Sequence, residues 1–447
     1  MGRYFGTDGV RGRANKTLNI ETVYNIGRFV GYYYGQNKKA KIVIGMDTRL
    51  SSSMFEYALA SAMSSSGADV YLVGYCSTPC LAYTTMHEKF SCGVMISASH
   101  NPYYDNGVKI FGPDGLKIKD DIEGLIEDYI DNPTTIKYKE DDQIGKIIEY
   151  KQAVVSYQNW LNELYQLDLS EMKLVVDLCN GSNCYTAKDV LANTHAQITY
   201  INDNPNGTNI NNGCGSTHLE SLIAAVKEGQ YDLGFAFDGD ADRVLFVNQD
   251  GDVVDGDNVM YLLAKYLKDI GKLKGNTLVT TVMSNIGLYK ALTKVGIDYD
   301  ITPVGDKSVI DSIIKNKFVI GGEQSGHIIY SEDSCFGDGL KTALLLLKAL
   351  KHFDCSLKEA VKELRIYPQL LVNEKVKDKN VVLNDEQISK LIANIAEELG
   401  NNGRILVRPS GTEPLIRVMV EAENDELCNK YVYQVIDMIK EKGYAES

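Results

Sequence analysis

Asp232 to Arg243 reads DLGFAFDGDADR. Its first half is a short, almost unbroken apolar run, the pattern of a strand buried on both faces. Its second half sets three carboxylates, Asp238, Asp240 and Asp242, at alternate positions. In extended chain, alternate side chains point to one side, so three hard oxygen ligands converge on one cation. Mg²⁺ suits such a set, because it keeps open positions for water or a phosphate oxygen. A buried strand ending in a chemically equipped loop also suits an α/β fold, and the rest of the chain agrees.

The loop admits three other readings. A solvated acidic turn is the plainest. An EF-hand does not fit, because Arg243 stands where that loop needs Gly and Gln249 where it needs Glu. A haloacid-dehalogenase-type motif would make Asp238 a phosphoryl acceptor, but Asp242 occupies its Thr/Val position.

Outward from this stretch, apolar β-branched runs alternate with amphipathic segments. Residues 41–45, 69–74 and 93–97 read as strands, with a helix over 52–65. A charged, patternless stretch near 132–145 reads as a linker. Strands follow at 173–178 and 197–201, with helices from about Asn183 and from Thr217. Gln249-Asp250-Gly251 predicts a hairpin turn between strands at 244–248 and 253–254. A third set has strands at 277–282, 299–302 and 318–321. Its helices start at Asn285 and Asp306, and a long one runs from Gly339 to about His352. After Arg365, strands at 367–376, 404–407 and 415–421 and helices at 385–399 and the C-terminus predict a small α+β domain. The three α/β sets share a pattern but no residue-level repeat.

At 447 residues the chain exceeds one ordinary core. No apolar run reaches the roughly 18–20 residues that span a membrane, and the N-terminus lacks a signal-peptide pattern. Nine cysteines at irregular spacings fit neither a disulfide framework nor a zinc site, so a reducing cytoplasm is the expected location. The formal charge of −14 argues against nucleic-acid or membrane partners. It leaves room for an anionic small substrate, since charges beyond about 8–10 Å are largely screened.

Three further loops carry chemistry. Arg408-Pro409-Ser410-Gly411-Thr412-Glu413-Pro414, with Arg417 beyond, has the composition of an anion cradle. Guanidinium forks match phosphate oxygens, hydroxyls add donors, and Gly411 admits close backbone N–H groups. Gly321-Gly322-Glu323-Gln324-Ser325-Gly326-His327 mixes acceptors and donors between glycines, which suits sugar hydroxyls. Gly6-Thr7-Asp8-Gly9-Val10-Arg11-Gly12 is a weaker Gly-rich loop with one Arg. Ordinary structural turns are the alternative for all three.

In VMISASHNPYYDNGVKIFG (residues 94–112), Ser99 directly precedes His100. A serine hydrolase needs a base held by an acid, and the adjacent His100 ring would have to fold back to reach Ser99. No G-x-S-x-G elbow surrounds the serine. A serine at a strand end, a divalent-metal loop and a separate anion cradle fit phosphoryl transfer better, with Ser99 as carrier.

These loops, in this order, resemble the α-D-phosphohexomutase superfamily. The likeness covers essentially the whole chain, through RYFGTDGVRG, ISASHNPYYDNG, NINNGCGSTH, DGDADR, VDGD, GEQSGH, GDGL, YPQLLVN and RPSGTEPLIRV. It is closest to members that act on an amino-sugar phosphate. It implies an α/β fold: three α/β domains with mixed sheets plus a smaller C-terminal α+β domain around a central cleft. The expected boundaries are 1–150, 151–252, 253–365 and 366–447.

The resemblance implies a covalent phosphate on Ser99, with Asp238, Asp240 and Asp242 binding Mg²⁺ together with that phosphate. Ser99 thereby counts as a metal ligand. Glu323 and Ser325 then contact sugar hydroxyls, while Arg408, Ser410, Gly411 and Thr412, with Arg417, hold the phosphate that is not transferred. Lys109, Arg11, Arg243 and His327 become groups for charge stabilisation and proton transfer, and His100 and Asn101 shape the serine loop. The identity of the general base stays open. Two departures stand out: Pro303 replaces a frequent basic residue, and Ser77-Thr78-Pro79 replaces Pro-Thr-Pro, a change expected to matter little.

The implied reaction converts glucosamine 6-phosphate to glucosamine 1-phosphate, which serves UDP-N-acetylglucosamine and cell-wall precursor synthesis. A hexose 1,6-bisphosphate is its intermediate and activator. The implied partners are a phosphorylated hexosamine and a second copy in a homodimer. The rivals are a phosphoglucomutase or phosphomannomutase with the same machinery, a metal-dependent phosphatase using Asp238, and a noncatalytic sugar-phosphate sensor.

Overall fold

The computed structural model describes residues 2–133, 136–410 and 414–446. They form two compact units: Gly2–Val282 with Ile297–Val361, and Met283–Gly296 with the C-terminal residues from Lys362.

The larger unit contains three mixed sheets. The first runs Phe5–Gly6, Gly9–Arg13, Asp105–Phe111, Cys92–Ile96, Lys41–Met46, Asp69–Tyr75, Ile147–Glu149. The second runs Val253–Val254, Val244–Asn248, Leu233–Phe237, Lys173–Asp177, Gln197–Ile201. The third runs Ile328–Tyr330, Ile320–Gly322, Thr277–Thr281, Asp298–Thr302. Lys41–Met46 is buried at every residue after its first, because helices Ser52–Ser65 and Thr78–His87 both pack on it. That double cover requires an unbroken apolar run instead of alternation.

One connection recurs in all three sheets. A first strand (Lys41–Met46, Lys173–Asp177, Thr277–Thr281) has a parallel neighbour on each side. The later neighbour (Cys92–Ile96, Leu233–Phe237, Ile320–Gly322) then turns back as an antiparallel hairpin. The turns of these hairpins carry Ser99, Asp238 to Asp242, and Glu323 to His327. The three equipped loops therefore hold the same topological position, beyond the carboxyl end of a parallel strand, where α/β sheets place their ligands.

Some local readings shift. The helix expected from Thr217 starts at Glu220, and the one near Asn183 is a 3₁₀ turn, Ser182–Cys184, followed by helix Ala187–Ala192. The stretch read as a linker is tied down. Lys139 N–H donates to the Ser65 carbonyl and Gly145 N–H to the Ser64 carbonyl, both at 2.9 Å. Backbone hydrogen bonds leave no side-chain pattern, so the sequence shows none. Beyond it, Ile147–Glu149 joins the first sheet beside Asp69–Tyr75.

In the smaller unit, Gln369–Lys375, Leu415–Glu421 and Arg404–Pro409 form an antiparallel sheet with Leu415–Glu421 central. Helix Asp425–Glu441 is capped by the Asn424 side chain and buries Cys428, Tyr431, Val432, Val435, Ile436 and Ile439. That helical spacing gives one apolar stripe, which packs with Ile416, Val418 and Val420 of the central strand. Helix Ile286–Lys294, expected within residues 253–365, groups with this unit. Asn285 exchanges hydrogen bonds with the Tyr367 backbone at 2.9 and 3.0 Å, and Ile286 N–H donates to Glu421 at 2.9 Å.

Among the described residues no helix is long and apolar enough to cross a membrane. All nine cysteines are free thiols.

Candidate active site

Ser99 is buried, with its backbone in the left-handed region at φ 52°. Two side chains hold it there. Arg49 donates to the carbonyls of Ser99 (2.7 Å), Asn101 (2.9 Å) and Asp105 (3.0 Å), and also to that of Pro102. Its Nε pairs with buried Asp47 at 2.7 Å. Asn211 donates to the Ser99 and Asn101 carbonyls at 2.8 and 2.9 Å. The loop's inward carbonyls are thus satisfied by fixed donors, and the strained conformation is over-determined, as such conformations must be to persist.

The Ser99 hydroxyl donates to Asp238 Oδ2 at 2.6 Å. His100 Nδ1 lies 3.3 Å from Ser99 Oγ, so the ring does fold back, aided by the left-handed backbone. It is still not half of a hydrolase triad. Its other neighbour at hydrogen-bond distance is Arg243 Nη1 at 3.4 Å, not a carboxylate. Burial, then Arg243 and Arg11, bring His100 down to about 4, so the ring is neutral.

Asp238, Asp240 and Asp242 are buried, with ligand oxygens all within 4.8 Å of one another. Their convergence comes from a turn and not from extended chain: Ala241 N–H donates to the Asp238 carbonyl, and Ala241 has φ 62°. The turn presses against the serine loop. A Cβ on Gly239 would lie 2.5 Å from the Ser99 carbonyl, so only glycine fits there.

Lys109 is buried, with Nζ 2.7 Å from Asp240, 3.0 Å from Asp8 and 3.5 Å from Asp242. Burial works against its charge, but Asp240, Asp8 and Asp242 outweigh it and hold Lys109 protonated. Burial, then the like charges of Asp242 and Asp240, push Asp238 well above the carboxylate range. Burial would also raise Asp242, yet Lys109, His327 and Arg243 together draw it down. Asp240 Oδ1 and Asp242 Oδ1 are buried without a hydrogen-bond partner. Oxygen donors crowded into a buried site, one of them driven towards protonation, fit a hard divalent cation such as Mg²⁺.

The third loop is equally built. Glu323 Oε1 accepts from Gly305 N–H at 3.0 Å, which brings the 302–307 loop onto the carboxylate despite Pro303. Gln324 donates to Asp255 at 3.0 Å, the residue that caps helix Gly256–Asp269. Ser325 is exposed at the tip. His327 is buried with Nδ1 3.7 Å from Asp242 Oδ1. Burial lowers it, but Asp242, Asp306 and Glu323 outweigh burial and raise it. Arg11 pairs with Asp8, and Asp8 also pairs with Lys117, which lies 2.7 Å from Asp306. One network therefore joins Arg11, Lys109, the carboxylates, Arg243 and His327.

In the smaller unit, Arg408 and Arg417 are direct cross-strand partners. Like charges directly opposite repel. Burial, then Arg417, lowers Arg408, and Arg417 Nε is buried without a partner. Ser410 is buried beside them, and its carbonyl accepts from Lys379 at 2.8 Å. Gly411 and Thr412 lie outside the described residues.

Sequence reasoning missed several supports. Asp47 and Arg49 carry no motif signal, being an acid and a base two residues apart after a strand. Asn211 sits in NINNGCGSTH, where residue type alone signals no role, and Asp8 in a loop whose visible features are its glycines and Arg11. Thr78 donates to Asp240 at 2.5 Å, and Ser77 caps helix Thr78–His87. The Ser77-Thr78-Pro79 segment therefore touches the metal loop directly.

The chain matches the family models of all four phosphoglucomutase/phosphomannomutase domains. These are alpha/beta/alpha domains I (2–137), II (149–251) and III (255–367) and the C-terminal domain (371–438). A phosphoglucomutase/phosphomannomutase family protein from Burkholderia thailandensis has the same fold, with TM-score 0.81 at 23% identity over 97% of this chain and 96% of that one. An Aspergillus fumigatus N-acetylphosphoglucosamine mutase, solved with GlcNAc-6P and magnesium, superposes with TM-score 0.67 at 16% identity over 98% and 95% of the two chains. The chain belongs to the phosphoglucomutase/phosphomannomutase family. Within it, the chain is 48% identical over 449 residues, all of both chains, to the phosphoglucosamine mutase of Lachnospira eligens, and it groups with the phosphoglucosamine mutases.

Proposed function

We propose that the chain is an isomerase that interconverts glucosamine 6-phosphate and glucosamine 1-phosphate, with Ser99 as a reusable phosphate carrier. Full-length identity to phosphoglucosamine mutases supports the reaction. The observation that carries the mechanism is the 2.6 Å contact from the Ser99 hydroxyl to Asp238 beside two more buried carboxylates and Lys109.

In this reading, Ser99 gives its phosphoryl group to the sugar 1-hydroxyl: the Oγ–P bond breaks, the O1–P bond forms, and O1 loses its proton. The resulting 1,6-bisphosphate reorients, and its 6-phosphate returns to Ser99. Asp238, Asp240 and Asp242 would hold Mg²⁺, which supplies charge compensation to the transferring phosphoryl group. Lys109, Arg11 and Arg243 add fixed positive charge, worth about 2.7–4 kcal/mol of barrier per stabilising group. His327, raised by its carboxylate neighbours, and neutral His100 are the groups for proton transfer. Glu323 and Ser325 read sugar hydroxyls. Arg408, Ser410, Gly411, Thr412 and Arg417 hold the phosphate that is not transferred.

The same reading carries four domains at 1–150, 151–252, 253–365 and 366–447, a cytoplasmic location, a homodimer, and no nucleic-acid or membrane partner. Its product would feed UDP-N-acetylglucosamine synthesis. The test is intact-mass analysis of the protein and of Ser99→Ala, together with turnover of glucosamine, glucose and mannose phosphates. One covalent phosphate mapped to Ser99 and preference for glucosamine phosphate are expected. Ser99→Ala should lose on the order of 10⁴–10⁶ in kcat with its fold intact. Substantial mutase activity in that variant would sink the carrier role.

A further inference from the structure

A pocket remote in chemistry from the phosphate machinery lies on the larger unit. Its volume is about 670 Å³, and its walls include Met46, Val73, Tyr75, Val155 and Tyr185. The Tyr75 and Tyr185 rings stack with centroids 4.9 Å apart, and Tyr57 beside them is 65% exposed. Glu56, on helix Ser52–Ser65, also lines the pocket. Its side chain is only 5% exposed, and its Oε1 is buried without a hydrogen-bond partner. Burial pushes this carboxyl up to about 7.

A buried carboxyl oxygen left unpartnered is costly, and packing alone would favour an apolar residue there. The remaining charges narrow the ligand class. Glu149 and Asp189 stand with Glu56 against a single Lys151, so the pocket repels anions, including sugar phosphates. Tyrosine faces attract cations, and the aliphatic wall accepts an apolar body.

We propose that this pocket binds a small organic cation, an ammonium group on an apolar or aromatic body, with Glu56 as its counter-ion. Glu56 lies one helical turn from Ser52, whose hydroxyl donates at 3.0 Å to Asp47, the carboxylate that holds Arg49. The site thus backs onto the support of the serine loop.

The test is calorimetric titration of the full-length protein, at mildly alkaline pH, with 2-phenylethylammonium and with its neutral isostere 2-phenylethanol. One saturable site per chain is expected, with the amine bound about tenfold tighter or more than the alcohol. Glu56→Gln should weaken the amine by about tenfold while leaving the alcohol unchanged. Tyr185→Ala should weaken both. Equal affinity for amine and alcohol, no saturable site, or an unchanged amine affinity in Glu56→Gln would each overturn the proposal. If Glu56→Gln does not fold, the amine-to-alcohol ratio of the unaltered protein decides alone.

Discussion

The serine site and the C-terminal arginine pair both suit phosphate, but their charges are balanced in opposite ways. Around Ser99 the buried cations have carboxylate partners: Arg49 with Asp47, and Lys109 with Asp240 and Asp8. Arg408 and Arg417 face each other across the strands, and no carboxylate of the described residues pairs with either. The first site carries its own counter-charges. The second sets two cationic side chains side by side with no such offset among the described residues. On the proposed mechanism this division is sensible, because a phosphoryl group in transfer needs one geometry, while a phosphate merely held arrives from either end of the sugar.

Removing a cation should therefore act differently in the two places. Arg49→Met should have the largest effect on stability, about 3–5 kcal/mol, because it strands Asp47 in the interior and unties the loop carbonyls. Thermal unfolding would show it, and a loss below about 1 kcal/mol would mean that Arg49 is not a structural clamp. Asp240→Asn should cost about 10²–10³ in kcat and raise the Mg²⁺ concentration needed for half-activation. Chelation of divalent cations should remove activity from the unaltered enzyme and added Mg²⁺ restore it. Arg417→Met should raise KM by roughly tenfold or more, since a hydrogen bond to a charged group contributes about 1.5–3 kcal/mol. Its Tm should stay level or rise, because the like-charged pair is relieved. A fall in Tm as large as that of Arg49→Met would erase the distinction.

The smallest effect sharpens the picture at Ser99 itself. The His100 ring, held down to about 4 in the unphosphorylated loop, sits 3.3 Å from the hydroxyl that would carry the phosphate. A nearby dianion favours the protonated imidazole, so phosphorylation should move its titration upward by about one unit or more. Imidazole ¹⁵N shifts recorded before and after phosphorylation measure this directly. No movement would place the phosphate away from Ser99.

Much of this was legible in the chain. Lys41–Met46 and Leu233–Phe237 announce themselves as buried strands because parallel sheets covered on both faces need unbroken apolar runs. The spacing of the carboxylate triplet marks it in the sequence, but it is Ala241 that turns the loop and brings the three together, not extended chain. As the residue next to Ser99, His100 has to fold its ring back to reach the hydroxyl, and the left-handed backbone at Ser99 lets it do so. The 132–145 stretch is not legible because its anchors pair with residues far away in the chain: the Lys139 and Gly145 N–H groups with Ser65 and Ser64, and the Ile136 carbonyl and Tyr138 ring with Arg28.

What the sequence by itself determined is the local chemistry and the class of fold. Periodicity dictates which segments become strands and helices, and residue type dictates which loops can hold metal, sugar or phosphate. Only the tertiary structure decided that three unlike loops share one topological position after a parallel strand. It alone selected Asp8, Asp47, Arg49, Thr78 and Asn211 as supports and brought Lys109 to Asp240, 131 residues away along the chain. The physical reason is range. Propensity and pattern act over a few residues, whereas the energy of a buried charge depends on every group that folding carries to within a few ångströms of it.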